Sequence, residues 1–241
     1  MDTISRDTVF PTSTQFVDRV LGLAPRVAAF DCDGTLWSGD AGETFFDWEI
    51  KRNVVSPTVG SSMRLRYAGY KAGKVSEDDM CGEMVTMHKG MSDASLMEVA
   101  TEFMRSHFPG RIFPEMKQLV HQLHDRGCEI WAVSSSNEWL IRAGMTQFGI
   151  PDHRILAAKA ELSNGLVTDK LVRIPSGPGK PKALREIAGR EIDAAFGNSR
   201  WDVDMLAMAK HGFAVNPNSD LEAAAQQHGW IIYFPDGTGR R

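Results

Sequence analysis

The stretch Val27-Ala28-Ala29-Phe30-Asp31-Cys32-Asp33-Gly34-Thr35-Leu36-Trp37 constrains this chain more than any other. An apolar run of the length of a buried strand ends abruptly in two carboxylates, a glycine and a threonine. In an open α/β sheet, ligands gather beyond the carboxyl ends of the strands, where loops converge. Asp31 and Asp33 alternate across the end of this strand, because side chains reverse direction at each residue. Gly34 allows a sharp departure from the strand without a Cβ penalty. The same letters also read as a polar turn after a core strand, since Asp and Gly are common turn residues.

The rest of the chain supplies the sheet such a strand needs. Ahead of it, Phe16, Val17, Val20 and Leu21 mark a short amphipathic helix capped by Ser13 or Thr14 and stopped near Gly22 and Pro25. From residue 111 onward strands and helices alternate. Pro114 opens an apolar face of Met116, Leu119, Val120 and Leu123, Gly127 closes it, and Glu129 to Val133 reads as the next buried strand. A helix over 137–148, a short strand over 154–157 and a hairpin through Ser163-Asn164-Gly165 follow. Helices over 181–189, 202–210 and 219–228 then separate strands at 194–196, 213–215 and 230–234. This order predicts an α/β fold, a Rossmann-like, mostly parallel sheet with helices on both faces.

Between about Ser38 and Pro109 the apolar residues recur at helical spacing, and convincing strands are absent. Four or so helices are predicted there. Residues 40–110 therefore read as a helical cap subdomain inserted into a core of residues 1–39 and 111–241. Its methionines read as core rather than as a binding surface.

Composition removes several classes of function. The 241 residues are 42% hydrophobic with a net charge of −4, and they lack the basic footprint of a nucleic-acid binder. Cys32, Cys81 and Cys128 have no metal-ligand spacing and fit free thiols in a reducing compartment. Asp2, Arg6, Asp7 and Pro11 precede any apolar run, unlike a secretory signal, and no stretch reaches the ~18 apolar residues of a membrane span. The expectation is a cytoplasmic protein without membrane or nucleic-acid partners, with no sequence signal for an oligomeric state. Residues 1–12 and the tail from Thr238 to Arg241 read as loose ends.

Three further stations follow in order. Ser134-Ser135-Ser136-Asn137 lies after a predicted strand and before a helix, where hydroxyls and free N–H groups form a phosphate-oxygen site or a plain N-cap. Lys180 and Lys182 stand at a helix start after Gly177-Pro178-Gly179. Gly197-Asn198-Ser199-Arg200-Trp201-Asp202-Val203-Asp204 follows another strand.

With Asp31-Cys32-Asp33-Gly34-Thr35-Leu36, these stations resemble the four motifs of the haloacid dehalogenase superfamily, and most closely its phosphoserine-phosphatase branch. The resemblance implies a Mg²⁺-dependent phosphoric monoester hydrolase acting on a small phosphorylated metabolite. In that reading Asp31 is the nucleophile, Asp33 the general acid and base, and Ser134 and Lys180 bind the phosphoryl group, with Lys182 the alternative to Lys180. Asp31, Asp33 through its carbonyl, Asn198 and Asp202 would hold Mg²⁺, with Asp204 the alternative to Asp202. Asn198 departs from the family's usual Asp. Asp40, Glu43 and Ser135 are the candidate substrate-binding residues.

Asp33 argues against halide displacement, since dehalogenases of the superfamily lack an acid two residues after the nucleophile. A phosphotransferase, or a non-catalytic phospho-ligand-binding protein, uses the same residues. The branch grips a substrate carboxylate with a cap Arg, but Gly82 stands where that Arg is sought, and Arg64 and Arg66 lie elsewhere in the cap.

Overall fold

A computed structural model describes residues 10–238; of the loose ends expected over 1–12 and 238–241, residues 1–9 and 239–241 lie outside the described residues, whereas Phe10 is not loose but packs against Phe234 at 4.9 Å. Helix α1 (Ser13–Gly22) is capped by Thr12, one residue ahead of the expected Ser13 or Thr14, because Thr12 and Gln15 form a reciprocal capping box. Strand β1 (Val27–Phe30) follows. Four helices come next: α2 (Ala41–Lys51), α3 (Pro57–Lys71), α4 (Glu77–Thr86) and α5 (Asp93–His107). The chain then runs through α6 (Pro114–Asp125), β2 (Glu129–Asn137), α7 (Glu138–Met145), β3 (Ile155–Ser163) and β4 (Leu166–Arg173). It closes with α8 (Gly179–Ala183), β5 (Ala194–Gly197), α9 (Val203–Met208), β6 (His211–Val215), α10 (Ser219–His228) and β7 (Ile231–Tyr233).

The seven strands form one sheet in the order β4-β3-β2-β1-β5-β6-β7. All neighbours are parallel except the β3–β4 hairpin, so the mostly parallel α/β sheet expected from the sequence is present. Strand β1 is central. Later strands are added on one side through β2 and on the other through β5, so the order reverses at its carboxyl end. That reversal opens the crevice in which open α/β sheets bind ligands.

The two faces of β1 show why both sides need helices. Ala28 and Phe30 pack with Phe16, Met116, Leu119 and Phe196 on one side. Val27 and Ala29 pack with Leu184, Met205, Leu206 and Leu221 on the other. Phe30 stacks on Phe196 at 4.1 Å between ring centroids, and Phe196 on Phe213 at 4.7 Å, which ties three adjacent strands together.

The helical insertion has two attachments. Phe45 of α2 and Ala100 and Phe103 of α5 belong to the same apolar cluster as the sheet. One residue on, Phe46 turns to another side of α2 and packs with Met63 of α3 and Met80 of α4 in a small separate cluster.

Some boundaries differ from the sequence reading. The helix expected over 181–189 is α8 followed by a wider π-type turn, Leu184–Ala188, ending at Gly189 with φ 61°. The helix expected over 202–210 begins with a tight turn, Arg200–Asp202, and stops at Met208. The strand expected over 154–157 extends to Ser163, because its far half pairs with β4 across the Asn164-Gly165 turn (φ 51° and 76°).

Candidate active site

Every station of the sequence reading sits at the carboxyl edge of the parallel strands, around the end of β1. Asp31 is held in the sheet by its own N–H, which donates to the Phe196 carbonyl (2.9 Å). Its carboxylate is buried and accepts from Thr35 Oγ1 (2.8 Å) and Lys180 Nζ (2.7 Å). Lys180, 2% exposed, also donates to Asp202 Oδ1 (2.5 Å) and to the Val133 carbonyl (3.1 Å). Lys182 and Asp204, the two alternatives, are exposed.

Asp202 is fully buried, and both its oxygens have donors. Besides Lys180, it accepts from the N–H groups of Asn198 and Ser199 (3.0 Å each) and from Ser199 Oγ (3.2 Å). It thus closes the loop after β5 onto its own helix start. Asn198 lies against Gly34. A Cβ on Gly34 would fall 1.8 Å from Asn198 Nδ2, and Gly34 has φ 74°, so a glycine is required twice over at this position.

Asp33 is surrounded by donors. Its Oδ1 accepts from the Trp37 indole N–H (2.8 Å) and the Ala41 N–H (2.6 Å), and its Oδ2 from Ser136 Oγ (2.8 Å). Ser134 is buried and accepts from the Ser136 N–H (3.1 Å), which fixes the turn that aims Ser136 at Asp33. Ser135 is half-buried and lines a cleft with Asp40 and Glu43. Asp40 caps α2, accepting from the Glu43 N–H (2.8 Å). Residue types around the serines explain the fit. A Cβ on Gly42 would approach Ser136 Oγ to 2.6 Å, so glycine in the first turn of α2 makes room for that hydroxyl.

The electrostatics follow from burial. Desolvation and then the Asp202 charge push the Asp31 carboxyl up to about 6, against the pull of Lys180 and Thr35. Desolvation and the Asp40 charge raise Asp33 to about 7, against the hydrogen bonds from Trp37 and Ala41. Burial pulls the Lys180 ammonium down, but the Asp202 and Asp31 carboxylates outweigh it and hold it well above its ordinary range. Excess negative charge among hard oxygen donors is what a small divalent cation relieves. Of the four expected ligands, the Asp31 carboxylate, the Asp33 carbonyl and the Asn198 side-chain oxygen are donors of the right kind, whereas both Asp202 oxygens are already held by Lys180 and the loop after β5. Among the described residues no cluster of three or more His, Cys, Asp or Glu forms a ready-made cage. The candidate donors are all oxygens, the ligand type that hard cations such as Mg²⁺ take.

Such a constellation at a topological switch point has a counterpart among known proteins. The profile of the family described as haloacid dehalogenase-like hydrolase matches residues 28–207, well over half of the chain. The chain belongs to the haloacid dehalogenase-like hydrolases. Among curated relatives of this family, it is 28% identical over 217 residues to a histidinol-phosphatase of Neisseria meningitidis, covering 86% of this chain and 97% of that one. It is 27% identical over 217 residues to a phosphoserine phosphatase of Mycobacterium tuberculosis, covering 85% and 69%. A solved structure described as a phospho-aspartyl intermediate analogue of phosphoserine phosphatase shares the fold, with TM-score 0.56 and 17% identity over 87% of this chain and 92% of that one.

Several residues of the site escaped the sequence reading. Trp37 and Thr35 were inside the quoted stretch, four residues after Asp33 and Asp31, a spacing that lets a side chain fold back on its predecessor. Ser136 could not be told from its two serine neighbours. Gly42 carried a weak signal, a glycine in the first turn of a helix, where alanine is the better helix former.

Proposed function

We propose that this hydrolase is a Mg²⁺-dependent phosphatase that cleaves a small phosphomonoester through a phospho-aspartate on Asp31. The observation that carries the reading is the pairing of a buried carboxylate held by one ammonium, Asp31 on Lys180 at 2.7 Å, with a second carboxyl two residues on whose proton is retained up to about pH 7. The first is a nucleophile and the second an acid.

In this mechanism an Asp31 oxygen attacks phosphorus, and the bond from phosphorus to the ester oxygen breaks. Asp33 gives its proton to the departing alkoxide. Asp33, now a carboxylate, takes a proton from water as that water attacks the phospho-aspartate. The acyl-phosphate bond breaks, inorganic phosphate leaves and Asp31 is restored. Trp37, Ala41 and Ser136 hold the Asp33 carboxyl in place through both steps. Lys180 offsets the negative charge that phosphate brings to Asp31 and Asp202, and Ser134 with the amides after β2 lies ready for phosphoryl oxygens. When bound, Mg²⁺ would neutralise charge on the phosphoryl oxygens, held by Asp31, the Asp33 carbonyl and Asn198 with Asp202 adding its charge.

Residues 40–110 act as the cap in this reading, covering the strand ends and limiting access to small substrates. The two curated relatives are named for phosphate esters of an amino alcohol and of a hydroxy amino acid, which supports a substrate of that size. Phosphate release from p-nitrophenyl phosphate, measured with and without Mg²⁺, tests the proposal. Turnover is expected only with Mg²⁺ and is expected to vanish in Asp31→Asn, because an amide cannot form the acyl phosphate. Near-wild-type activity in Asp31→Asn would overturn it.

A further inference from the structure

Resting on the phosphatase reading, we propose that the cleft beside Asp33 selects phosphomonoesters whose organic part is cationic, carries a flat ring and has no carboxylate. The cleft lies between α2, α3, α4 and the end of β2. Ser136 belongs both to its wall and to the hydrogen-bond shell of Asp33, so the cleft begins where the leaving alkoxide would sit.

The described lining contains three carboxylates, Asp40, Glu43 and Glu77, and no Arg, Lys or His. Glu43 is partly neutralised from the rim by Lys71 (3.0 Å). Glu77 receives only neutral donors, the Tyr70 hydroxyl and the Cys81 thiol (3.7 Å). Burial, followed by the Glu77 charge, pushes that thiol up, so it stays neutral. Burial raises the Asp40 carboxyl above its ordinary value, but with Glu43 and Glu77 the carboxyls still outnumber the one ammonium, which favours a cation and opposes an anion at short range.

Tyr67 and Tyr70 form the facing wall, with ring centroids 5.8 Å apart. The Tyr67 face already carries a cation, with Lys71 Nζ 5.1 Å from the ring centroid. Phe46 packs against the Tyr67 ring as well (5.1 Å), so Tyr70, whose one ring neighbour among the described residues is Tyr67, is the ring that suits a ligand's ammonium or flat heteroaromatic group.

Among the described residues of this wall the one cation at the rim, Lys71, is already paired with Glu43 rather than set to receive a substrate carboxylate. Gly82, on α4, faces away from the cleft; a Cβ there would meet Leu171 Cδ1 at 2.7 Å. Arg64 and Arg66 are paired outward with Asp47 and Glu83. Phosphoserine and histidinol phosphate both bring an ammonium, but the first adds a carboxylate to this acidic wall and the second an imidazole. Glu77, Tyr67 and Tyr70 are therefore the specificity-determining residues.

The test compares kcat/KM for L-histidinol phosphate, O-phosphoethanolamine, O-phosphoserine and p-nitrophenyl phosphate, the last reporting the phosphatase reading alone. Histidinol phosphate is expected to exceed phosphoserine by at least 100-fold, mainly through KM, with phosphoethanolamine between them. Glu77→Gln is expected to shrink that ratio at least tenfold. Calorimetric titration of Asp31→Asn with the first and third compounds gives the same comparison without turnover, and tighter binding of histidinol phosphate is expected. Phosphoserine bound or hydrolysed as well as histidinol phosphate, or a ratio unmoved by Glu77→Gln, would overturn the inference. Loss of p-nitrophenyl phosphate turnover with the binding order intact would instead count against the phosphatase reading and leave the cleft's selectivity supported.

Discussion

Lys180 joins Asp31 to Asp202: its Nζ lies 2.7 Å from one carboxylate and 2.5 Å from the other. One ammonium at the start of α8 thus links the residue after β1 to the turn that follows β5, and all three side chains are nearly inaccessible to water. Removing the charge leaves two buried carboxylates facing each other. Lys180→Met is expected to cost about 3–5 kcal/mol of stability and to abolish phosphatase activity. Urea denaturation followed by circular dichroism measures the first, phosphate release the second.

Gly42 and Ser136 give a gentler perturbation. The methyl of Gly42→Ala would fall 2.6 Å from Ser136 Oγ and push that hydroxyl from the Asp33 carboxylate. Expected is a fall in kcat of roughly 10–100-fold, the scale of general acid–base catalysis, with Tm nearly unchanged since alanine favours the helix. Ser136→Ala should reproduce the kinetic effect. A Gly42→Ala enzyme of normal kcat would show that Ser136 does not position Asp33.

Asn198 brings no charge to the proposed metal position. Asn198→Asp is expected to lower the Mg²⁺ concentration for half-maximal activity by about tenfold, equivalent to ~1.4 kcal/mol. Repulsion of the substrate phosphate by the new carboxylate opposes part of the gain. Mg²⁺ titrations of the two proteins at fixed substrate decide the matter.

Glu49 of α2 and His88 form a fully buried pair (2.8 Å) beneath Trp139. Burial raises the Glu49 carboxyl above its ordinary value against the pull of His88. Burial lowers the His88 imidazole, but Glu49 outweighs it and the net shift is upward. Both groups hold protons more tightly folded than unfolded. Stability contributed by His88 is fully present below pH 6.5 and is lost as pH rises through the folded value, and the Glu49 term has the same sign from pH 4.5 upward. The urea midpoint is expected to fall between pH 6 and pH 8, and Glu49→Gln should flatten that slope. A midpoint rising over this range in the natural protein would contradict the assignment.

The sheet and the order of its stations were legible because strand ends and chemistry coincide in this fold. Val27 to Phe30 announces a strand by being apolar throughout, and Asp31 announces a site by breaking that run. The three serines after Val133 were not separable. Strand β2 continues to Asn137 with an irregular register against β3 from Val133 to Asn137, and that irregularity, invisible in the letters, decides which hydroxyl reaches Asp33. Tyr67, Tyr70 and Met80 read as the apolar face of helices. Met80 does pack in the small cluster, but it and both tyrosines also line the cleft, since α2, α3 and α4 converge in a way that no single helix encodes.

The small cluster of Phe46, Met63 and Met80 stands apart from the clusters that cover the sheet. Helix α4 also sends Val85 into the cluster that covers the sheet, but α3, whose buried Met63 lies in the small cluster, can be repacked, and the side chains it presents exchanged, while the residues around Asp31 keep their footing. For a lineage of such enzymes, new substrates become accessible by small steps in one place, each of which leaves the inherited chemistry running.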